Sequence, residues 1–390
     1  MNRKDYLLIK SKPKYYLFLC FYFLVYPFCK LLYGKKRNWL VCERGNDAQD
    51  NGYVFFKYLV EKHPEIKPVY LIKKESKDCN KVDGLGKVVE FGSIKHLLMC
   101  IGYPVKISSH LFGYSPWVQL SLYYRRHKTH DKHVFLQHGI IKNMHEGLCA
   151  DVCNSLDLFV CGAKPEYEYI FNEFHYYNHV PQYTGLARYD NLFDFENKNQ
   201  ILFMPTWRAK LTGLKGEEFI ESEFYKNWIE LCNSKELINK CKEKGLTIKF
   251  YLHYSLQKYS HLFEDNEVVK VVLFGQEIVQ TLLKESKLLV TDFSSVFFDY
   301  AYMKKPVIYF QFDENTFYDE HYTKGYFDYR ENGFGPVYLK TKDVINHIVS
   351  YIDNGYVVEP LYLSRMQSFF KYRDQHNCDR IFDAIIKQLF

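Results

Sequence analysis

The sequence predicts an α/β protein made of two doubly wound, Rossmann-like domains, preceded by an apolar helix. Three observations lead there. Short apolar runs such as Trp39 to Cys42 and Ile201 to Met204 alternate with amphipathic segments, the order expected of a parallel sheet covered by helices. The series runs twice, interrupted at Thr184 to Asn199, where Gly185 and the polar end Glu196 to Asn199 read as a linker. At 390 residues the chain also exceeds one small core and suits two domains of ordinary size.

Taken in order, Tyr15 to Cys29 is an uncharged, aromatic-rich stretch flanked by Lys14 and Lys30. Fifteen helical residues at about 1.5 Å each reach roughly 23 Å, short of the roughly 30 Å hydrocarbon core, so a surface-lying or shallowly inserted helix is expected. A buried core helix and a spanning anchor are the alternatives. Strands are expected at Trp39 to Cys42, Lys67 to Ile72, Val88 to Phe91, Val105 to Ser108, His133 to Gln137 and Leu156 to Val160. Helices are expected at Tyr53 to His63 and Ser93 to Cys100. The second series has strands at Ile201 to Met204, Thr247 to Leu252, Val268 to Val272, Leu288 to Val290 and Val307 to Phe310. Its helices are Phe219 to Cys232, Ser234 to Lys244 and Ile278 to Lys284, and Leu361 to Phe390 reads as helical throughout. The expected domains are therefore a membrane-associating segment 1–37, a first Rossmann-like domain 38–190 and a second 191–390.

Charge and cysteine content narrow the partners. Lys and Arg number 52 against 46 Asp and Glu, a net +6, with basic clusters at Lys10/Lys12/Lys14, Lys35/Lys36/Arg37 and Arg125/Arg126/Lys128. That mild excess fits an anionic membrane surface or a phosphorylated substrate; without a nucleic-acid-binding motif, no nucleic acid is expected. Eleven cysteines without a C-x-x-C pair read as reduced, mostly buried thiols, with no disulfide framework and no metal site. No cofactor is called for.

The most informative stretch is 288–310, LLVTDFSSVFFDYAYMKKPVIYF: a strand, a tight turn, a helix and another strand. Ser294 and Ser295 fall near the helix start, where unpaired backbone N–H groups and two hydroxyls suit a phosphate, or where Ser294 simply caps the helix. His138 follows a strand and precedes Gly139, so a substrate can approach an imidazole able to take a proton near neutrality; a structural or solvent-exposed histidine is the alternative. Met204-Pro205-Thr206-Trp207-Arg208 also closes a strand, combining a hydroxyl, an aromatic face and a guanidinium that can fork two bonds to phosphate; it also reads as a surface turn. His253 ends another apolar run, and Arg188 sits in the linker. Two doubly wound halves place ligands at the C-terminal ends of their strands, where all these residues lie.

Together, QHG at 137–139, GLARYD at 185–190, PTWR at 205–208, His253 after a strand and TDFSSVFFDYAYMKKPVIYF at 291–310 resemble the CDP-glycerol glycerophosphotransferase family of teichoic-acid and capsule polymer enzymes. The segment 312–337 and the opening CERGNDAQDNGYVFFKYLVEKHPEI at 42–66 are similar to the same family. The resemblance implies a GT-B fold whose two Rossmann-like domains face a cleft. It implies His138 as general base, with Arg208, His253, Ser294 and Ser295 on the pyrophosphate of a CDP-alditol, and Gly139, Arg188, Thr206, Trp207 and Asp299 completing the donor site. Family members often read H-G-T-P-L-K after the base, whereas this chain has Gly139-Ile140-Ile141-Lys142, a departure that bears on the acceptor. The implied activity is transfer of glycerol phosphate, or a related alditol phosphate, from CDP to a hydroxyl of a lipid-linked or polymeric glycan at the cytoplasmic face of the membrane. The alternatives are a GT-B glycosyltransferase using CMP-sialic acid or a UDP-sugar, and a non-catalytic scaffold of polysaccharide assembly.

Overall fold

The computed structural model describes residues 12–320 and 323–389. The chain forms two compact units, one containing the residues up to 140, 145–191 and 372–390, the other 141–144 and 192–371. This division differs from the one drawn on sequence in two places. The last segment packs in the first unit, and four residues just after His138 belong to the second.

The first unit begins with helix α1 (Pro13–Tyr33), 21 residues and about 32 Å long, which outruns the fifteen expected. Lys30 does not end it, because its ammonium is paired with Asp131 and donates to the Gly102 carbonyl at 3.2 Å. The sheet that follows has strands β1 (Asn38–Cys42), β2 (Lys67–Ile72), β3 (Lys87–Glu90), β4 (Val105–Ser108), β5 (Lys132–Phe135), β6 (Leu158–Cys161) and β7 (Pro181–Tyr183). They are all parallel, in the order β3-β2-β1-β4-β5-β6-β7. The winding direction reverses between β1 and β4, so the ligand position of a doubly wound sheet lies at their C-terminal ends. Helix α2 (Asn51–Lys62) follows β1, and α3 (Ile94–Gly102) and α4 (Val118–Arg126) flank β4. Helix α1 lays Tyr15, Phe18, Tyr22 and Cys29 inward, with the Tyr22 ring 4.7 Å from that of Tyr123 on α4. Where α1 meets α3 a Cβ on Gly102 would stand 2.5 Å from the Cys29 carbonyl, so only glycine permits the approach. Its other side leaves Leu17, Leu24 and Leu31 70 to 82% exposed.

The second unit has strands β8 (Gln200–Phe203), β9 (Thr247–Tyr251), β10 (Val269–Val272), β11 (Leu289–Thr291), β12 (Val307–Phe310) and β13 (Val337–Tyr338), parallel in the order β10-β9-β8-β11-β12-β13. Here the reversal falls between β8 and β11. Strands buried on both faces read as unbroken apolar runs, which is why they stand out in the sequence. Phe203, Phe250 and Phe310 converge on the fully buried Trp228. Helix α5 (Phe297–Tyr302) follows β11, and α6 (Glu314–Glu320) follows β12.

Two expected helices are each divided. The segment 219–232 is split into Gly216–Ile220 and Glu223–Cys232, because the Ser222 hydroxyl accepts the Tyr225 N–H at 3.2 Å and starts a new helix. The segment 361–390 breaks between Pro360–Phe369 and α7 (Asn377–Leu389). Asp190 causes the restart by accepting from the Asn377 and Cys378 backbone N–H groups, both at 2.9 Å. The expected linker is accordingly not free chain: Ala187–Asn191 is a 3-10 turn with Leu186, Ala187 and Tyr189 fully buried.

Candidate active site

In the first unit the segments that follow β1, β5 and β7 bring together a carboxylate, a histidine and a guanidinium. His138 stands just past β5 after Gln137, whose φ of 64° turns the chain sharply outward. The His138 Nδ1 lies 2.6 Å from Asp50 Oδ2, while 72% of the imidazole remains exposed. Asp50 precedes α2, and its other oxygen accepts from Arg188 Nη1 at 2.7 Å. The same Nη1 donates to the His138 carbonyl at 2.6 Å, so Arg188 fixes both the residue and its partner. Asn51 completes the frame, donating to the Gln137 carbonyl at 2.8 Å and accepting the Arg188 N–H at 2.9 Å. Partial desolvation lowers the basicity of the imidazole, but the Asp50 charge and hydrogen bond outweigh it and the His138 pKa is raised. Burial opposes ionisation of Asp50, and Arg188 and His138 overcome it to hold the carboxyl well below its usual range.

Beneath this triad lies Glu43, 1% exposed at the end of β1. Its Oε1 accepts the Asp50 and Tyr53 N–H groups at 2.7 and 3.1 Å, filling the start of α2 with its own anion. Burial, then the Asp50 charge, push its pKa up to about 7. A Cβ on Gly52 would meet Glu43 Cγ at 2.8 Å, so the glycine makes room for this carboxylate. The His110 ring at the tip of β4 lies 4.8 Å from that of His138, and burial followed by the His138 charge lowers its pKa to about 4.

In the second unit the tips of β8 and β11 are locked by Asp292, fully buried. Its Oδ1 accepts the Thr206 and Phe293 N–H groups at 2.7 and 2.6 Å, and its Oδ2 accepts from Arg208 Nη2 at 2.9 Å. Arg208 also forks onto Asp313, with Nε to Oδ2 at 2.6 Å and Nη2 to Oδ1 at 3.0 Å, and gives Nη1 to the Thr206 carbonyl at 2.8 Å. The guanidinium lies 4.7 Å from the Phe317 ring centre, and Arg208 as a whole is 7% exposed. In this arrangement it binds three strand tips together. Ser294 and Ser295 are half-buried, and their hydroxyls make no hydrogen bond among the described residues. Neither caps α5, whose N-cap position is Val296 without a side-chain bond. The Thr206 hydroxyl is buried and likewise without a partner. Trp207 stacks on His253 with centroids 5.9 Å apart and planes 18° apart, and His253 Nδ1 accepts the Ser255 N–H at 3.3 Å. Asp299 is buried in α5. Lys142 backs the serine turn, with Nζ 2.8 Å from the Phe293 carbonyl and burial lowering its pKa to about 8.

The structure thus gathers His138, Gly139 and Arg188 at one sheet edge, and Thr206, Trp207, Arg208, His253, Ser294, Ser295 and Asp299 within the second unit. Sequence reasoning did not single out Asp50, Asn51, Glu43, Asp292, Asp313 or Lys142. Of these only Asp50-Asn51 carried a local signal, an Asp-Asn pair opening a helix directly after the first strand.

Comparison with known proteins places this arrangement. A family model described as CDP-glycerol:poly(glycerophosphate) glycerophosphotransferase matches residues 24–387. The chain belongs to this family. It is 32% identical over 368 residues to the minor teichoic acid biosynthesis protein GgaB of Bacillus subtilis (strain 168), covering 91% of this chain and 40% of GgaB. It is 31% identical over 157 residues to a teichoic acid poly(glycerol phosphate) polymerase of Bacillus spizizenii, covering 39% of this chain and 36% of that protein. The chain therefore spans less than half the length of these curated relatives. Among solved structures, the wall teichoic acid polymerase TagF superposes with a TM-score of 0.67 at 17% identity, covering 97% of this chain and 100% of that chain. A UDP-N-acetylglucosamine 2-epimerase from Listeria monocytogenes superposes at 0.56 and 14% identity, covering 90% and 96%. At such identities the likeness concerns the fold, which is of the GT-B type with two Rossmann-like sheets.

Proposed function

We propose that the protein transfers glycerol phosphate, or a related alditol phosphate, from a CDP-linked donor to a hydroxyl of a lipid-linked or polymeric cell-surface glycan. The observation that carries this reading is the His138–Asp50 pair: an imidazole anchored through Nδ1 to a carboxylate, with most of the ring open at a strand tip of a family member. A neutral ring donating from Nδ1 holds its lone pair on Nε2. The acceptor oxygen attacks the phosphorus bearing the alditol, its proton passes to His138 Nε2, the bond from that phosphorus to the bridging oxygen breaks, and CMP leaves. Phosphoryl-type transfer needs chiefly alignment and neutralisation of charge. The second unit offers these through Ser294, Ser295, Thr206 and His253, held by Asp292 and Arg208 and backed by Lys142. One TagF structure was obtained after a soak with CDPG, and donor chemistry of that class suits this chain's hydroxyl-rich tip.

For location we propose attachment to the cytoplasmic face of an anionic membrane through α1. The outward Leu17, Leu24, Phe28 and Leu31 offer an apolar stripe, and exposed Lys12, Lys14, Lys35, Lys36 and Arg37 sit at its two ends. The helix is also long and apolar enough to cross a membrane, yet its inner side is packed on α3 and α4, which favours lying in the interface. A donor panel tests the activity: CMP release from CDP-glycerol or CDP-ribitol with a lipid-linked acceptor analogue supports the proposal. Turnover of CMP-sialic acid or UDP-sugars alone transfers the protein to glycosyl chemistry, and donor binding without CMP release would make it a scaffold.

A further inference from the structure

The second unit carries a cavity of about 560 Å³ at the edge of its sheet opposite the serine turn. Asn199, Leu246, Lys287 and Pro306 line it, residues lying just before β8, β9, β11 and β12. Thr206 and Ser294 lie past the other ends of these strands. A four-residue strand rising about 3.3 Å per residue sets the two edges at least roughly 13 Å apart.

The lining is one-sided in charge. Lys244, Lys287, Lys304 and Lys305 all face the cavity, and among the described residues no acidic one lines it. Among the described residues Lys287, Lys304 and Lys305 form no ion pair with any carboxylate; only Lys244 does, with Glu243 at 3.1 Å. Lys305 is the telling one. It is 5% exposed, and its ammonium rests on the Leu283 and Lys284 carbonyls at 3.1 and 2.8 Å and over the Phe195 and Tyr300 rings at 4.7 and 5.0 Å. Burying a cation without a counter-ion is costly, so an anion in the adjoining space gains from a charge already stripped of water. Burial alone lowers the Lys305 pKa to about 7, as expected of an ammonium lacking such a partner. Lys287 donates to Asn199 Oδ1 at 2.8 Å and stands 5.5 Å over the Tyr356 ring, which holds its head at the cavity wall. Lys304 is fixed differently, by a backbone φ of 58° at the turn between α5 and β12.

We infer that this cavity is a second anion site, separate from the proposed transfer machinery, which binds a phosphate ester through Lys287, Lys304 and Lys305. Its size falls among small-molecule sites of roughly 300 to 1,000 Å³, enough for a nucleotide monophosphate or a few units of an alditol phosphate chain. Both sources present the same tetrahedral anion to the lysines.

Site-resolved lysine acetylation of the full chain, read by mass spectrometry, tests this. Glycerol 3-phosphate, CMP and a short poly(glycerol phosphate) oligomer are the probes, glycerol is the neutral control, and exposed Lys226 is the reference lysine. Protection of Lys287 and Lys304 by a phosphorylated probe and not by glycerol is expected, and the most protective probe identifies the source. Lys304→Glu has no side-chain bond to lose and keeps a non-glycine residue at a positive φ, so it folds as the parent does. It is expected to weaken the protective probe about tenfold, as read on Lys287, and to leave CMP release from the donor unchanged. Lys287→Gln, read on Lys304, is the second variant. Equal acetylation with and without all three phosphorylated probes overturns the inference, as does unaltered affinity in both variants.

Discussion

Replacing Asp50 by Asn changes one charge at nearly constant shape and separates orientation of His138 from its mere presence. The wild-type carboxylate is 12% exposed and receives two charge-assisted hydrogen bonds, from His138 Nδ1 at 2.6 Å and Arg188 Nη1 at 2.7 Å. Such bonds contribute about 1.5 to 3 kcal/mol each, and losing the one to the imidazole slows proton removal about 10-fold to 150-fold. The pH profile carries a second signature. A base works only when deprotonated, so turnover falls as pH drops through the His138 pKa, which Asp50 raises. Without the carboxylate that pKa falls, and the acid limb of the CMP-release profile moves to lower pH while its plateau drops. Leaving Arg188 without its anion costs about 3 kcal/mol of stability, at the low end of values for breaking a buried pair, so the assay is run below the lowered melting temperature. A variant with the wild-type plateau and an unmoved acid limb would refute the view that Asp50 orients the base.

Ser294→Ala and Ser295→Ala are expected to leave the melting temperature within about 1 °C, because neither hydroxyl bonds to a described residue, while weakening CDP-glycerol binding about fivefold each by calorimetry. Asp292→Ala is expected to do the reverse, lowering stability by about 3 to 5 kcal/mol in urea titrations by leaving buried Arg208 short of a partner and two N–H groups unbonded. Leu17→Glu/Leu24→Glu/Leu31→Glu is expected to release the protein from anionic liposomes in sedimentation without altering its melting curve, since all three side chains point away from α3 and α4. These substitutions test the surface better than removal of residues 1–37, which would strip Tyr15, Phe18 and Tyr22 from their packing.

Most strands could be read from the sequence because parallel strands buried on both faces are plain apolar runs, as at Leu40-Val41-Cys42 and Ile308-Tyr309-Phe310. Edge strands β7 and β13, three and two residues long, leave no such run and were not foreseen. The restart of α7 depends on Asp190, 187 residues away in the chain, and no periodicity near Asn377 announces it. The same separation governs the site. His138 and the Ser294–Ser295 turn stand out locally as residues at strand ends, but Asp50 lies 88 residues from His138 and Asp292 lies 84 from Arg208. Their roles exist only once the sheets are wound. Arg208 stands out by its type, but the two carboxylates and the aromatic ring around it come from distant parts of the chain and are not legible beside it.

The measurement that bears most directly on the transfer reading is paired calorimetry and CMP release on wild type and His138→Ala with CDP-glycerol and a lipid-linked acceptor analogue. Removing a general base costs on the order of a hundredfold to ten-thousandfold in rate. The expected result is a variant that still binds donor with wild-type affinity and releases CMP at least about a hundredfold more slowly. Release within a few fold of wild type would contradict the assignment of His138 as the base.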